Sequence, residues 1–473
     1  MLFNSFTFII FFAFIVLVHY SPLAWKYKKS NLLLGSYIFY AAWNPPFVLL
    51  LFASTFVDWH LAKRIFLSPT PKSRKAWLGL SLLFNLGLLS VFKYSDFLVE
   101  NFQMLVHMFG VSIEFQDPGF ILPMGISFYT FQTLSYTLDI YFKRLKPHHS
   151  FQDYALFVSF FPQLVAGPIV RAKEFLPQLR QQNRIKFDTF SIGISLFIIG
   201  IFEKVVLADT FFAPIVDSVF IDGAQPDALS AWMAALFFYA QIFCDFSGYS
   251  LCAIGTALCL GFKLPFNFRS PFSAIGFSDF WRRWHISLSS WLRDYLFIPL
   301  GGSRFGKFVT FRSLMITMLL GGLWHGAEWT FVIWGALHGS YLVVEHGLKS
   351  VSFSRQLVSA WWVRCILLAV TFLLVTIAFV IFRAENLQQA MSIYAGMAGL
   401  GGSESLVQWG LWTQIVSAAF IILLLLQWIY SNRLITDVMQ KMPMLGRALL
   451  LSACLLLITV SAGNSDAFIY FQF

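Results

Sequence analysis

Charge is scarce in this chain. Only 12% of its 473 residues are charged, and the acidic ones number 23 against 33 Lys and Arg. Charge this sparse, in a chain that is 58% hydrophobic, excludes an ordinary soluble globule. Cysteine is equally rare. The five (Cys244, Cys252, Cys259, Cys365 and Cys454) lie in or beside apolar blocks without CxxC spacing, so neither a disulfide framework nor a zinc site is implied. No GxSxG elbow is present, and a serine acyl-enzyme therefore has no support in the sequence. The first apolar block, residues 3–20, lacks a basic leader and a small-residue cleavage site. It is expected to be a retained helix.

Apolar residues supply what the rest lacks. They make up 58% of the chain and run in continuous blocks of membrane-spanning length instead of alternating with polar ones. That pattern predicts an all-α, polytopic membrane protein of about 11 transmembrane or re-entrant helices with interfacial amphipathic helices beside them. A single integral membrane domain over 1–473 is expected. Basic residues cluster at 26–29, 63–75, 143–146, 171–186, 263–312, 349–364 and 433–447, leaving out only Lys93, Lys204 and Arg383. If these clusters mark the cytoplasmic face, both termini lie outside. The net charge of +10 is then a retained membrane face with anionic lipid as its neighbour, and nucleic acid is not required.

Several blocks depart from simple crossings. Residues 31–43 and 47–59, joined by Asn44-Pro45-Pro46, are expected to form a short hairpin whose arms barely cross. Residues 154–169, with Pro162, Gly167 and Pro168, are expected to re-enter on one side. Residues 314–347 have basic residues at both ends and should be a bent or hairpin pair.

The chemistry gathers between Ser278 and Trp329. Read as one helix, Phe280–Leu296 places Phe280, Trp281, Trp284, Leu288, Trp291 and Tyr295 on one face, with Arg282, Arg283, Arg293 and Asp294 elsewhere. Such a helix belongs in the cytoplasmic interface. Its tryptophans and arginines serve either as interfacial anchors or as a holder for the phosphates of an acyl donor such as coenzyme A. His325, beside Trp324 and among Gly321, Gly322 and Gly326, is an ionisable residue inside an apolar run. It is either a general base for a hydroxyl or a hydrogen-bonded core residue. Glu328 would lie one helical turn later and could orient it. His338, 13 residues on, would point to nearly the opposite side of a continuous helix, and a structural role is expected. No metal-ligand set emerges.

With those residues in view, the chain resembles the membrane-bound O-acyltransferase family, and within it the bacterial alginate O-acetyltransferase branch. The resemblance runs through Phe161-Pro-Gln-Leu-Val-Ala-Gly-Pro-Ile-Val-Arg171, Phe202-Glu-Lys-Val-Val-Leu-Ala-Asp209, Asp245-Phe-Ser-Gly-Tyr-Ser250, the block from Phe280 to Gly302, and Leu323-Trp-His-Gly326. It implies that His325 is the family's catalytic histidine and that His285 holds the second Asn/His position. It further implies acetyl-CoA or another thioester as donor, no bound cofactor, and an exported polysaccharide as acceptor, reached directly or through a periplasmic partner acetyltransferase. Leu251-Cys252 stands where the branch commonly has an acidic residue followed by an apolar one, which bears on the acceptor and not on the acyl transfer, and Glu203 replaces a commonly basic residue. Two other functions compete: a transporter or flippase with His325 as proton relay, and carrier-protein-dependent acylation of the teichoic-acid D-alanylation type.

Overall fold

The computed structural model describes residues 1–111, 119–182, 185–349, 360–403, 405–461 and 468. Among them every regular element is helical. Seven helices are long and apolar enough to cross a membrane: Pro71–Phe92, Phe187–Val219, Ala228–Cys259, Lys307–His325, Trp361–Arg383, Leu411–Ile429 and Met444–Ser461. The chain is thus an all-α, multi-pass membrane protein. It divides into two compact units, 1–194 with 253–265, and 195–252 with 266–473.

In the first unit, α1 (Phe6–Tyr20), α2 (Trp25–Ala41), α3 (Phe47–Leu67) and α4 (Pro71–Phe92) follow one another through tight turns. Polar caps set their starts. Ser5 accepts from the Phe8 amide of α1, and Thr70 accepts from the Ser73 amide while Pro71 occupies the first turn of α4. The expected short hairpin is longer than the apolar pattern suggested: the basic residues at 26–29 form the first turn of α2, and α3 continues past Trp59 to Leu67. Backbone hydrogen bonding, once nucleated, carries a helix through polar residues that a hydropathy reading treats as its end. The block expected to re-enter contains two short helices. Helix α5 (Phe151–Ser159) stops before Pro162, and Phe161–Leu164 makes one further short turn. Inside this unit Asp58 of α3 accepts from Ser81 Oγ at 2.7 Å and Asn85 Nδ2 at 2.8 Å, both on α4. Interhelical polar bonds of this kind fix helix register where the surrounding lipid gives no hydrophobic drive.

The second unit carries the motif-rich part of the chain. Phe187–Val219 (α6) widens to a π-helical stretch over Phe202–Phe212 and packs against Ala228–Cys259 (α7). The two backbones meet at Gly200 and Gly248, where a Cβ on either would stand 2.5 Å from the other's carbonyl oxygen. One helical turn away Lys204 bridges two buried carboxylates, Asp209 at 2.7 Å and Asp245 of α7 at 2.6 Å.

The 280–296 segment corrects the single amphipathic helix expected there. Helix α8 (Phe277–Arg283) ends, His285 adopts a left-handed conformation (φ 41°, ψ 54°), and α9 (Ile286–Leu292) restarts the chain before a π-helical turn over Arg293–Phe297. Residues 307–349 form the expected pair, α10 (Lys307–His325) and α11 (Trp329–Lys349). Their mutual approach is antiparallel, Gly322 meeting Gly335 and Gly339 meeting Met315 and Met318. Trp361–Arg383 (α12) packs beside α11, and Leu411–Ile429 (α13) packs through Phe420 on Phe212 of α6 and Phe237 of α7.

The Lys204 pair of bonds gives the first test. Lys204→Met removes the cation shared by Asp209 and Asp245, and loss of one member of a buried ion pair costs about 3–5 kcal/mol. A lowered melting temperature of the detergent-solubilised protein is expected, with a smaller fall for Asp209→Asn, which retains an acceptor for the ammonium.

Candidate active site

Helix α10 ends on His325. Gly326 is extended, and the chain reverses within three residues into α11. The reversal is possible because of glycine. A Cβ on Gly322 would collide with the Phe331 carbonyl, and one on Gly326 would collide with the Phe331 ring. The imidazole at this hairpin tip is buried, 3% exposed. Its neighbours are rings from three elements: Trp324 at 5.0 Å between centroids, Trp334 of α11 at 5.1 Å and Phe382 of α12 at 5.3 Å.

His285 comes to the same place from the break between α8 and α9. It is fully buried, edge-on to Phe246 of α7 at 4.6 Å, 5.8 Å from Trp324 and 6.4 Å from His325. Trp324 therefore touches both imidazoles. Burial away from water disfavours the imidazolium and pushes the His285 pKa down to about 3. This ring is neutral throughout the physiological range. It can donate one hydrogen bond and accept another, but it carries no charge to attract an anion.

The other sequence-selected residues divide. Trp284 is buried among Phe268, Phe280 and Phe379. Trp281, partly buried, stands 5.8 Å from Trp334. Arg283 braces the fold, its Nε donating to Asp279 at 2.9 Å and a terminal nitrogen to the Ser431 carbonyl at 2.8 Å. Arg282 is exposed, and Arg293 is exposed with its Nε 2.7 Å from Asp294. Glu328 does not stand one helical turn beyond His325, as expected from the sequence. The helix has ended, and Glu328 is an exposed residue of the link.

His338 also departs from its expected place. Because the chain doubles back, Trp334 lies between the two imidazoles, 5.1 Å from His325 and 4.7 Å from His338. His338 is fully buried against Phe280, Trp281 and Tyr341. Sequence reasoning selected neither Trp334 nor Phe382 nor Phe246. The usable signal was the glycine series 322, 335 and 339, which specifies a tight antiparallel hairpin and hence which α11 residues return to His325. Among the described residues no group of three or more His, Cys, Asp or Glu gathers to hold a metal ion.

A family model for the membrane-bound O-acyltransferases matches residues 141–388, a stretch that contains both imidazoles and the whole hairpin. The chain belongs to the membrane-bound O-acyltransferase family. It is 41% identical over 399 residues to the probable alginate O-acetylase AlgI of Azotobacter vinelandii, covering 84% of this chain and 78% of that protein. It is 39% identical to the peptidoglycan O-acetyltransferase of Helicobacter pylori, covering 80% of this chain and 75% of the relative. The teichoic acid D-alanyltransferase of Bacillus subtilis is more distant, 27% identical over 55% of this chain and 69% of its own length. Membership makes the chain an O-acyltransferase, and its relatives and seven apolar helices make it a multi-pass protein of the bacterial inner membrane.

The depressed His285 pKa has a consequence for acid stability. Between pH 6.5, where histidine in the unfolded chain titrates, and about 3, where His285 does, the unfolded state binds the extra proton. Stability from this residue is thus complete above pH 6.5 and lost as the pH falls, by up to about 1.4 kcal/mol per unit. His285→Asn, which cannot titrate and tolerates left-handed backbone, is expected to show a shallower decline of melting temperature between pH 7 and 5 than the wild type.

Proposed function

We propose that this O-acyltransferase moves an acetyl group from a cytoplasmic thioester, acetyl-CoA, towards hydroxyls of an exported polysaccharide of the alginate type. The acceptor hydroxyl belongs either to the polymer or to a periplasmic partner acetyltransferase that passes the group on. The observation that carries this reading is the pair of buried imidazoles 6.4 Å apart at the hairpin tip, close enough for one reacting group to touch both. Identity of about 40% to alginate O-acetylases over most of the chain supports acetyl transfer over D-alanylation.

In this mechanism His325 takes the proton of the attacking hydroxyl. The oxygen forms a bond to the thioester carbonyl carbon, the carbon–sulfur bond breaks, and the departing thiolate recovers the proton from His325. Neutral His285 positions the thioester or the hydroxyl through a hydrogen bond, and Trp324 and Trp334 wall the reacting group from water. The donor's phosphates lie outside this apolar site. Exposed Arg282 and Arg293 are the guanidiniums suited to them, with Trp281 and Asp294 beside them and Trp284 supporting the segment from the core. We assign one working domain over 1–473 with its core at about 120–350, about 11 membrane or re-entrant segments, and both termini in the periplasm, because the basic clusters then all face the cytoplasm.

Replacing His325 with Ala should remove polymer acetylation by about 100-fold or more, the range for loss of a general base. NMR of O-acetyl groups on the secreted polymer reads the outcome in cells whose own copy is deleted. Wild-type acetylation by a variant that inserts normally would contradict the assignment. The double substitution of Arg282 and Arg293 with Gln is expected to raise KM for acetyl-CoA several-fold (~5–10) while kcat holds, the pattern of lost uniform binding.

A further inference from the structure

His285 is one of three non-glycine residues with positive φ among those described. An L-residue with a bulky ring adopts this region at a cost, and persists there only when its surroundings dictate it. What dictates it is concentrated in Asn267. Its backbone carbonyl accepts the Ile286 amide at 2.9 Å, immediately after the left-handed residue. On the same residue Oδ1 accepts from Ser287 Oγ at 2.6 Å, and Nδ2 donates to Ser250 Oγ of α7 at 3.0 Å. Two residues on, the Arg269 amide donates to the Arg283 carbonyl at 3.0 Å, so the 267–269 strip grips the turn on both sides of His285. Asn267 is 1% exposed, and Ser250 and Ser287 are buried with it. Phe268 adds packing, with its ring 5.0 Å from Trp284 and 5.1 Å from Phe246.

Asparagine suits this post for a chemical reason. Its amide offers a donor and an acceptor in one plane, so one side chain ties the turn to α7, the helix that also supplies Phe246 against the His285 ring. Alanine would keep the backbone bond to Ile286 but lose both side-chain ties. Aspartate would offer only acceptors and would bury a charge.

We propose that Asn267 is a positioning residue for acyl transfer: by clamping Ile286 and Ser287 to α7 it holds His285 left-handed, with its imidazole between Phe246 and Trp324 and towards His325. The functional half of this proposal rests on the role given to His285 above. Asn267 touches no reacting atom, and its effect passes through the placement of one ring.

The experiment compares the full-length purified protein with Asn267→Ala, Ser287→Ala, His285→Gly and the Asn267→Ala/His285→Gly double variant. Melting temperature, kcat and KM for acetyl-CoA are measured for each. Asn267→Ala is expected to lower kcat about tenfold or more, with KM changed by less than about threefold, because misplacing a reacting group acts on the chemical step. Ser287→Ala, which removes the hydroxyl bonded to Asn267 Oδ1 but leaves the Asn267 tie to Ser250, should lower kcat in the same direction by a smaller factor. Glycine takes a φ of 41° without side-chain strain, so the fall in melting temperature caused by Asn267→Ala should be smaller in the His285→Gly background than in the wild type. Unchanged kcat in folded Asn267→Ala and Ser287→Ala proteins would overturn the proposal. So would an equal fall in melting temperature in both backgrounds. Full activity of His285→Gly, with the melting-temperature coupling present, would overturn the catalytic role of His285 and the functional half of the proposal, leaving the clamp on the turn established.

Discussion

Two helix backbones in the second unit approach more closely than any side chain would permit, and the candidate site depends on that contact. Where Gly322 meets Gly335, and where Gly326 lies under the Phe331 ring, a single added carbon would collide with the partner. The contact lets α10 stop at His325 and α11 begin four residues later, running back along it. Every ring that α11 brings to the site, Trp334 first among them, arrives through this reversal. In a bilayer such packing is a main source of helix association, because lipid tails solvate leucine as well as a neighbouring helix does.

The hairpin places an imidazole against aromatic rings from three helices, Trp324, Trp334 and Phe382. Aromatic walls exclude water while offering ring edges and indole N–H groups, so they bury a neutral imidazole at far less cost than a charged one. His285 shows the effect in its depressed pKa. A neutral ring suits the uncharged thioester and uncharged hydroxyl proposed as its reactants. Charge is kept elsewhere: the buried cation Lys204 is matched by Asp209 and Asp245, and Arg282 and Arg293 are exposed.

Much of this could be read from the residues, and the failures share a cause. His325 stood out because an ionisable side chain inside an apolar run needs a reason to be there. The 307–349 hairpin stood out because both ends of one apolar block were basic. What the sequence concealed were the points where a helix stops without proline. Periodicity ran unbroken through Phe280–Leu296, so the left-handed turn at His285 was hidden; the bonds that impose it come from Asn267, 18 residues away. The same blindness put Glu328 on a helix that had already ended and turned His338 away from a ring it approaches through Trp334. Propensity and pattern describe a segment alone, whereas these breaks are imposed by packing against other segments.

The central claim is that acyl transfer takes place at the tip of the hairpin between His325 and His285. The most direct test is a structure of the full-length protein with a non-transferable thioether analogue of acetyl-CoA. The acetyl carbonyl should lie between the two imidazoles, with its carbon within about 3.5 Å of where a hydroxyl bonded to His325 would sit. A carbonyl bound elsewhere, with the space between Trp324, Trp334 and the two histidines closed to it, would contradict the account.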